Sequence, residues 1–383
     1  MITDLDVEPL RMTVLWSSFG LSCVLGAVMQ RSHFCTLGAV ADWVNMGDLT
    51  RLRMWLFAIA VAIIGTGLLS ASGLIDPTRS LYTGPKLLWL SNIVGGLCFG
   101  VGMVLASGCG SKTLVRIGGG SLKSLVVFLV IGLSAYMTLR GVFGVARVRW
   151  LDPVIIDLEI GQDLPRWVMH WIHHAQAPDP KTGPTLGTLQ AGLSVCIGTA
   201  MVMFCLSDRQ FRRAEPLLGS LGVGLCIVTA WWISGHLGYL AENPLTLEES
   251  FIGTNSGRLE SFSFVAPAAY ALELLMLWSD SSRMMTIGIT SVIGMIAGSA
   301  VVALTSGRFR WEAFRGVDDM TCHLIGAVLM GFGGVTAVGC TIGQGLSGLS
   351  TLALGSVLVF VAVVAGGWLG IQWQVWRLER LAT

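Results

Sequence analysis

Two glycine-rich segments, each with one cysteine, recur in distant parts of the chain. Both Cys109 and Cys340 lie between apolar stretches, and glycine precedes each of them at the same four distances. The glycines fourteen, nine, seven and one residues upstream are Gly95, Gly100, Gly102 and Gly108 before Cys109, and Gly326, Gly331, Gly333 and Gly339 before Cys340. This shared spacing predicts a duplicated structural unit with the two cysteines in equivalent places.

The chemistry available to these segments suits a small anion that contains sulfur. A thiol is a weak hydrogen-bond donor on a soft, polarisable atom. A carboxylate in its place would repel an anion, and a lysine or arginine could hold the anion too firmly for passage. Two facing helix N-termini would add partial positive charge and free N–H groups, which favour an anion. The two turns therefore suggest a pathway.

Composition places these segments in a membrane. Mean hydropathy is +0.72, 53% of the residues are hydrophobic and only 12% are charged, which predicts an all-α polytopic membrane protein. The 24 basic and 23 acidic residues nearly balance, so no nucleic-acid partner is expected. Most of the nine cysteines lie in apolar stretches, unlike a secreted disulfide framework, and are expected to be reduced and buried.

About ten apolar stretches are long enough to cross a bilayer. They lie at residues 12–29, 54–74, 87–106, 122–140, 189–206, 217–235, 264–278, 284–304, 323–338 and 352–373. The basic loop with Arg209, Arg212 and Arg213 predicts a cytoplasmic position, which puts the N-terminus in the periplasm. Arg377 and Arg380 predict a cytoplasmic C-terminus, so at least one stretch is expected not to cross. The weakest candidates adjoin the two cysteine turns.

The predicted organisation is one integral membrane domain, residues 1–383, with two pseudo-symmetric and inverted halves. The first half-repeat covers residues 12–140, inserted loops and helices cover 141–283, and the second half-repeat covers 284–373. Broken or re-entrant helices are expected at the turns, where protein or a polar cavity must cover the unpaired backbone groups. Such helices at matching places in duplicated halves are typical of transporter binding sites.

A third cysteine has a related setting. Cys35 follows the first apolar stretch, has a glycine nine residues upstream at Gly26, and begins another short apolar segment. Its weak counterpart in the second half is Ser306-Gly307-Arg308-Phe309-Arg310-Trp311-Glu312, in which the phenylalanine recurs and the cysteine does not.

Two polar residues in the turns have open roles. Lys112 aligns with Gly343 of the second turn, and it either reaches a substrate or extends towards the membrane surface. Gln344 either lines the cavity or caps a broken helix. Gly108 and Gly339, which directly precede the cysteines, are predicted to border the substrate.

No metal ion and no cofactor is expected. His170 and His174 have a spacing compatible with metal binding on a helix, but no acidic or cysteine ligand lies within the same turn. The adjacent Trp167 and Trp171 indicate a helix lying on the membrane surface.

Four motifs together resemble the YeeE/YedE family of sulfur-compound transporters, and the resemblance covers most of the chain. They occupy residues 33–39 (His-Phe-Cys-Thr-Leu-Gly-Ala), 108–114 (Gly-Cys-Gly-Ser-Lys-Thr-Leu), 309–312 (Phe-Arg-Trp-Glu) and 339–348 (Gly-Cys-Thr-Ile-Gly-Gln-Gly-Leu-Ser-Gly). The resemblance implies a transporter, and no enzyme, that takes up thiosulfate through the bacterial inner membrane. It implies that Cys35, Cys109 and Cys340 pass the anion along by weak S–H contacts, and that small TusA-like sulfur-carrier proteins are partners.

Three alternatives remain open at the level of sequence. The glycine–cysteine turns could only pack helices, in which case alanine at either cysteine should leave uptake intact. The transported species could be another sulfur or selenium compound, such as hydrosulfide. The protein could instead be a membrane thiol–disulfide oxidoreductase in which Cys109 and Cys340 cycle between dithiol and disulfide, although it has no Cys-x-x-Cys pair.

Overall fold

The computed structural model describes residues 4–175, 185–243, 247–280 and 282–382. These residues form fourteen α-helices, which confirms the predicted all-α class. The helices are α1 (Asp4–Ser32), α2 (Thr36–Met46), α3 (Thr50–Ala71), α4 (Trp89–Leu105), α5 (Gly110–Gly118), α6 (Leu122–Arg140), α7 (Val142–Ala146), α8 (Leu164–Ala175), α9 (Leu186–Leu206), α10 (Ala214–Trp232), α11 (Val265–Met276), α12 (Ile287–Thr305), α13 (Val317–Thr336) and α14 (Leu354–Ala382).

Short elements fill the connections. A 3₁₀ turn covers Pro77–Arg79, and π-helical turns cover Arg147–Leu151, Ile233–Leu237 and Gly343–Gly348. Two antiparallel pairs of two-residue strands are present. Strand β1 (Lys86–Leu87) pairs with β2 (Ile156–Asp157), and β3 (Tyr239–Leu240) pairs with β4 (Ser250–Phe251).

In the described parts of the chain, nine helical segments are long and apolar enough to cross a bilayer, so this is a multi-pass membrane protein. They are Val7–Met46, Thr50–Ala71, Trp89–Gly118, Leu122–Arg140, Leu186–Leu206, Ala214–Leu237, Ile287–Thr305, Val317–Thr336 and Leu354–Arg377. The first segment contains α1 and α2, and the third contains α4 and α5. Both therefore include a break at a cysteine.

The segment too short to cross is not where the sequence suggested. The two helical segments that lead into or include the Cys109 and Cys340 turns, Trp89–Gly118 and Val317–Thr336, are both of spanning length, so the expectation that these were the weakest is wrong. Helix α11 is the short one, with 12 residues, or about 18 Å of helix against a hydrocarbon core of about 30 Å. Its N-terminus begins at the buried Phe264, so α11 starts inside the protein.

The glycines of the two cysteine segments pack against each other across α4 and α13. A Cβ atom at Gly95 would lie 2.8 Å from the carbonyl oxygen of Gly333, and one at Gly102 would lie 2.7 Å from that of Gly326. The glycine fourteen residues before one cysteine thus faces the glycine seven residues before the other, in both directions. The helices run antiparallel, and reciprocal contact of this kind is what a two-fold relationship produces.

The glycines nine residues before each cysteine extend this reciprocity. A Cβ at Gly100 would lie 2.8 Å from Gly366 of α14, and one at Gly331 would lie 2.6 Å from the carbonyl oxygen of Ile131 of α6. Helix α14 follows the Cys340 turn and α6 follows the Cys109 turn. Each glycine therefore packs against the helix that follows the opposite turn.

Candidate functional site

The turn that carries Cys109 is a tightly hydrogen-bonded helix end. After α4 the N–H of Ser107 donates to the carbonyl of Val104 at 3.1 Å, and the N–H of Gly108 donates to that of Met103 at 2.8 Å. Ser107 has a φ of 56°, in the left-handed region. This pattern satisfies carbonyl groups at a helix C-terminus, and it leaves Cys109 as the N-cap of α5.

The turn that carries Cys340 repeats the same bonds. The N–H of Val338 donates to the carbonyl of Val335 at 3.0 Å, and the N–H of Gly339 donates to that of Gly334 at 2.8 Å. Val338 also has a φ of 56°. The predicted breaks in the helices at the two glycine–cysteine segments are therefore present, with the same backbone geometry.

Cys35 lies in a turn of related construction, as its setting in the sequence predicted. His33 has a φ of 52°, again two residues before the cysteine, and Cys35 is the N-cap of α2. The N–H of Gly38 approaches the Cys35 sulfur at 3.5 Å, as the N–H of Gly343 approaches the Cys340 sulfur at 3.4 Å. None of the three left-handed residues is a glycine, so sequence alone gives no signal of them.

The fold brings the three cysteines together. Cys109 and Cys340 are each 1% exposed, and Cys35 is half-buried. Cys109 interacts electrostatically with both Cys35 and Cys340. The hydroxyl of Thr36, adjacent to Cys35, lies 4.0 Å from the Cys109 sulfur. Cys109 is therefore a neighbour of both other thiols.

Hydroxyl groups from the same turn and from a distant segment lie beside the sulfur atoms. Ser111 Oγ lies 3.3 Å from Cys109 Sγ, and Ser263 Oγ lies 4.0 Å from Cys340 Sγ. Thr341 Oγ1 and Trp55 Nε1 are buried, and neither has a hydrogen-bond partner within the described residues. Thr341 follows Cys340, and Trp55 packs on Phe34 with 4.7 Å between ring centroids. These donors are free for a bound anion, and the sequence pattern did not single them out.

Lys112 lies beside the thiols on the first turn of α5. It is half-buried and interacts electrostatically with Cys35 and Cys109. Among the described residues its ammonium group has no carboxylate within ion-pair distance, whereas the nearby Arg51 pairs with Asp42 at 3.3 Å. Lys112 is therefore a cation without a counter-charge next to two of the thiols.

Gln344 holds the Cys340 turn together. Its Nε2 donates to the carbonyl of Ala337 at 2.7 Å and lies 3.3 Å from that of Val338, and its Oε1 accepts from Ser356 at 2.6 Å. Both ends of the amide are thus used within the protein. Of the two roles left open by the sequence, the geometry favours capping of the broken helix.

Two cavities border the segments that carry the cysteines. One, the Gly339 cavity, has a volume of about 250 Å³ and is lined in part by Tyr82, Ser263 and Gly339. The other, the Arg31 cavity, has a volume of about 590 Å³ and is lined in part by Arg31 and Ser32. The first reaches the Cys340 turn, and the second reaches the end of α1 just before the Cys35 turn.

The segment that weakly resembled the Cys35 motif lies elsewhere. The N–H of Arg310 donates to Gly119 at 3.0 Å, and the N–H of Leu122 donates to Glu312 at 2.9 Å, so this segment closes the connection between α5 and α6. Phe264 has a position that resembles that of Cys35. It precedes the short helix α11 as Cys35 precedes α2, and its backbone hydrogen-bonds Cys340.

The described residues contain no group of three or more side chains arranged to hold a metal ion. His170 lies on α8, where Trp171 is 77% exposed and Trp167 is 46% exposed. The side chain of His174 lies outside the described part of the chain.

The amino-acid sequence matches the sulphur transport family over residues 31–369. The chain belongs to this family. The match confirms the resemblance drawn from the four motifs, and it includes the three cysteine turns, Lys112 and Gln344. Two relatives are named thiosulfate transporter TsuA.

Both relatives in the sulphur transport family are similar to this chain over nearly its whole length. The protein from Spirochaeta thermophila is 27% identical over 367 residues, which cover 95% of this chain and 100% of the relative. The protein from Escherichia coli strain K12 is 27% identical over 385 residues, which cover 95% of this chain and 97% of the relative.

Proposed function

We propose that this protein takes up thiosulfate, or a closely related small sulfur-containing anion, into the bacterial cytoplasm. The observation that carries the proposal is the meeting of three similarly built cysteine turns in a multi-pass member of the sulphur transport family. The names of the two relatives favour thiosulfate as the substrate. The anion would cross without chemical change, so no enzymatic step is part of the proposal.

The three thiols would act as successive weak donors. Cys340, Cys109 and Cys35 would each hydrogen-bond the anion through S–H, and a weak bond lets the anion leave as easily as it arrives. Hydroxyls beside the sulfurs, such as Ser111 and Ser263, would replace part of the anion's hydration shell. The terminal sulfur of thiosulfate is soft and polarisable, which suits contact with thiol sulfur.

Lys112 would make the electrostatic potential differ between the two ends of the pathway. Its counterpart in the other turn is Gly343, so only one end of the series carries a fixed positive charge. We assign Lys112 to stabilising the anion near Cys109 and Cys35. Gly108 and Gly339 would keep the backbone close to the substrate, because neither has a side chain in the way.

The orientation in the inner membrane follows from the basic loops. With Arg209, Arg212 and Arg213 in the cytoplasm, the N-terminus would be periplasmic, and nine crossings would then put the C-terminus in the cytoplasm. The Arg31 cavity then opens towards the cytoplasm and the Gly339 cavity towards the periplasm. After the unchanged anion has crossed, a TusA-like sulfur-carrier protein would take its terminal sulfur as a persulfide on the cytoplasmic side, and sulfite would leave.

The duplicated halves are also part of this proposal. The core of the repeat is residues 12–140 and 284–373, with the axis between α4 and α13. The contacts suggest that the second half begins earlier than residue 284 and includes α10 and α11. Helix α1 packs on α12 through Gly26 and Met295, and α10 packs on α3 through Gly224 and Ala58, so the two helix pairs correspond.

The test is radiolabelled thiosulfate uptake by cells that lack their own sulfate and thiosulfate permeases. The expected result is uptake above that of cells that carry the empty vector. A Cys196→Ala variant at a matched membrane level is the control, because Cys196 is exposed on α9. Competition by hydrosulfide or selenium oxyanions at the same concentration as thiosulfate tests the alternative substrates. No uptake, or uptake that another anion outcompetes at equal concentration, contradicts thiosulfate as the substrate.

The oxidoreductase alternative makes a separate prediction. It requires a Cys109–Cys340 disulfide during turnover, which would protect both thiols from maleimide. Mass analysis after maleimide labelling of denatured protein would detect such protection. We expect both thiols to remain reduced and labelled under transport conditions.

A further inference from the structure

A carboxylate lies on the approach to Cys340. Glu260 lines the Gly339 cavity together with Tyr82, Ser263 and Val338. Ser263, three residues later in the chain, places its hydroxyl 4.0 Å from the Cys340 sulfur. Glu260 therefore borders the cavity through which an anion would reach Cys340, and it belongs to the connection between α10 and α11.

Glu260 has no counter-ion among the described residues. Its Oε1 accepts a hydrogen bond from the N–H of Ser256 at 3.0 Å, and no lysine, arginine or histidine of the described chain lies within ion-pair distance. Arg147 lines the same cavity, but its Nε is bonded to Asp152 at 3.0 Å. Burial raises the pKa of the Glu260 carboxyl group, while hydrogen bonds from Ser256 and Asn255 act in the opposite direction.

The groups around Glu260 come from several elements. Tyr82 from the connection before β1 and Tyr270 from α11 both interact with it electrostatically. The other titratable or charged groups that line the cavity or lie behind these two tyrosines are Arg147, Cys340, Glu273 and Arg140. Glu273 already pairs with Arg283 at 3.3 Å. Glu260 is therefore the carboxylate of this cavity whose charge is not neutralised.

An ionised Glu260 would oppose the substrate. Two like charges in a small, partly dehydrated cavity repel each other more strongly than in water, and thiosulfate carries two negative charges. Protonation removes the repulsion and turns the carboxyl group into a hydrogen-bond donor. Because linkage is reciprocal, an anion that binds better to the protonated cavity must also raise the affinity of the cavity for the proton.

We propose that thiosulfate and a proton occupy the Gly339 cavity together, with the proton on the Glu260 carboxylate. This inference rests on the proposed function. The proton comes from water on the cavity side, neutralises the carboxylate while the anion is beside it, and returns to that water once the anion has moved past Cys340. Uptake is therefore gated by pH at this residue.

The first test is the pH dependence of uptake in proteoliposomes or permease-deficient cells over pH about 5 to 8. For the unaltered protein, the apparent affinity should fall by up to about tenfold per pH unit above the pKa of Glu260. The affinity of Glu260→Gln for thiosulfate should depend little on pH, and this variant should retain uptake at the alkaline end of the pH range. Glu242→Gln is the matched control, because Glu242 is exposed in the same connection, and it should keep the pH dependence of the unaltered protein.

The second test measures protons directly, and its measurement on the unaltered protein does not depend on a variant that folds. Thiosulfate is titrated into purified protein by calorimetry, in two buffers of different ionisation enthalpy. We expect up to one proton to be taken up per anion bound, and none by Glu260→Gln. Binding without proton uptake, or an unchanged pH profile in Glu260→Gln, would overturn the role of Glu260 and leave thiosulfate transport standing. Absence of thiosulfate binding by the unaltered protein would overturn both.

Discussion

Ser107 and Val338 share one backbone conformation, with a φ of 56° in each, although their side chains are unlike. Both follow the end of a helix, make corresponding hydrogen bonds and precede a buried cysteine by two residues. A non-glycine residue in the left-handed region is uncommon, and a β-branched residue there is strained, by about 1–3 kcal/mol. The turn geometry is thus repeated in both cysteine turns at a cost in conformational energy.

Val338→Gly should stabilise the protein. Relief of left-handed strain, about 1–2 kcal/mol, exceeds the entropic cost of a glycine, about 0.5–1 kcal/mol. Thermal unfolding in detergent would therefore show an equal or higher midpoint. The control is Val335→Gly within α13, which should lower the midpoint. An equal loss in both variants would contradict strain at Val338.

Gln344→Leu should destabilise the protein by leaving the Ala337 carbonyl and the Ser356 hydroxyl without their partner. A buried group left unsatisfied costs about 1–3 kcal/mol. Gln374→Leu is the control, since Gln374 makes a single long contact of 3.4 Å to Val104. Unchanged thermal stability together with a raised KM for uptake would assign Gln344 to the substrate instead.

Gly333→Ala should disturb the contact of α13 with α4. An added Cβ would lie 2.6 Å from the backbone nitrogen of Phe99, where backbone has to move, and overpacking of this kind costs about 1–3 kcal/mol. Gly192→Ala is the matched control, because an added Cβ at Gly192 meets no atom within 4 Å. Comparison of unfolding midpoints and of membrane levels distinguishes the two. A Gly333→Ala protein as stable as Gly192→Ala would argue against close packing at this crossing.

Lys112→Met should weaken uptake by raising KM. A hydrogen bond to a charged group contributes about 1.5–3 kcal/mol, which corresponds to about tenfold or more in affinity. Lys112→Arg keeps the charge and should lose less. Lys86→Met, which changes an exposed lysine of β1, serves as the control. If Lys112→Met matched that control in KM, Lys112 would have no contact with the anion.

The cysteine turns were predictable because they carry a repeated local pattern. Glycines at fixed distances from Cys109 and Cys340 mark both the helix crossing and the break that follows, since close backbone approach requires the absence of a side chain. The same local pattern limited Gln344 to two roles, lining the cavity or capping the broken helix. The choice between them depends on its hydrogen bond with Ser356, which lies outside the turn.

The rest of the site depended on contacts distant in sequence. The similar positions of Phe264 and Cys35 could not be recognised, because the two share neither residue type nor flanking sequence. His33 has a left-handed backbone conformation although it is not a glycine, so the sequence does not indicate this conformation. Thr36 and Ser263 reach the sulfurs from other segments, and only the packing of helices brings them there. The short length of α11 could not be predicted either, because the apolar stretch in the sequence continues past the end of the helix into Leu277 and Trp278.

The central claim is that the three thiols form the path of the anion. The most direct measurement is initial thiosulfate uptake in permease-deficient cells by Cys35→Ala, Cys109→Ala and Cys340→Ala, each at the membrane level of Cys196→Ala. We predict that Cys109→Ala and Cys340→Ala lose nearly all uptake, that Cys35→Ala loses most of it, and that Cys196→Ala retains it. Uptake at the control level in all three variants would contradict the account and reduce the cysteines to packing residues.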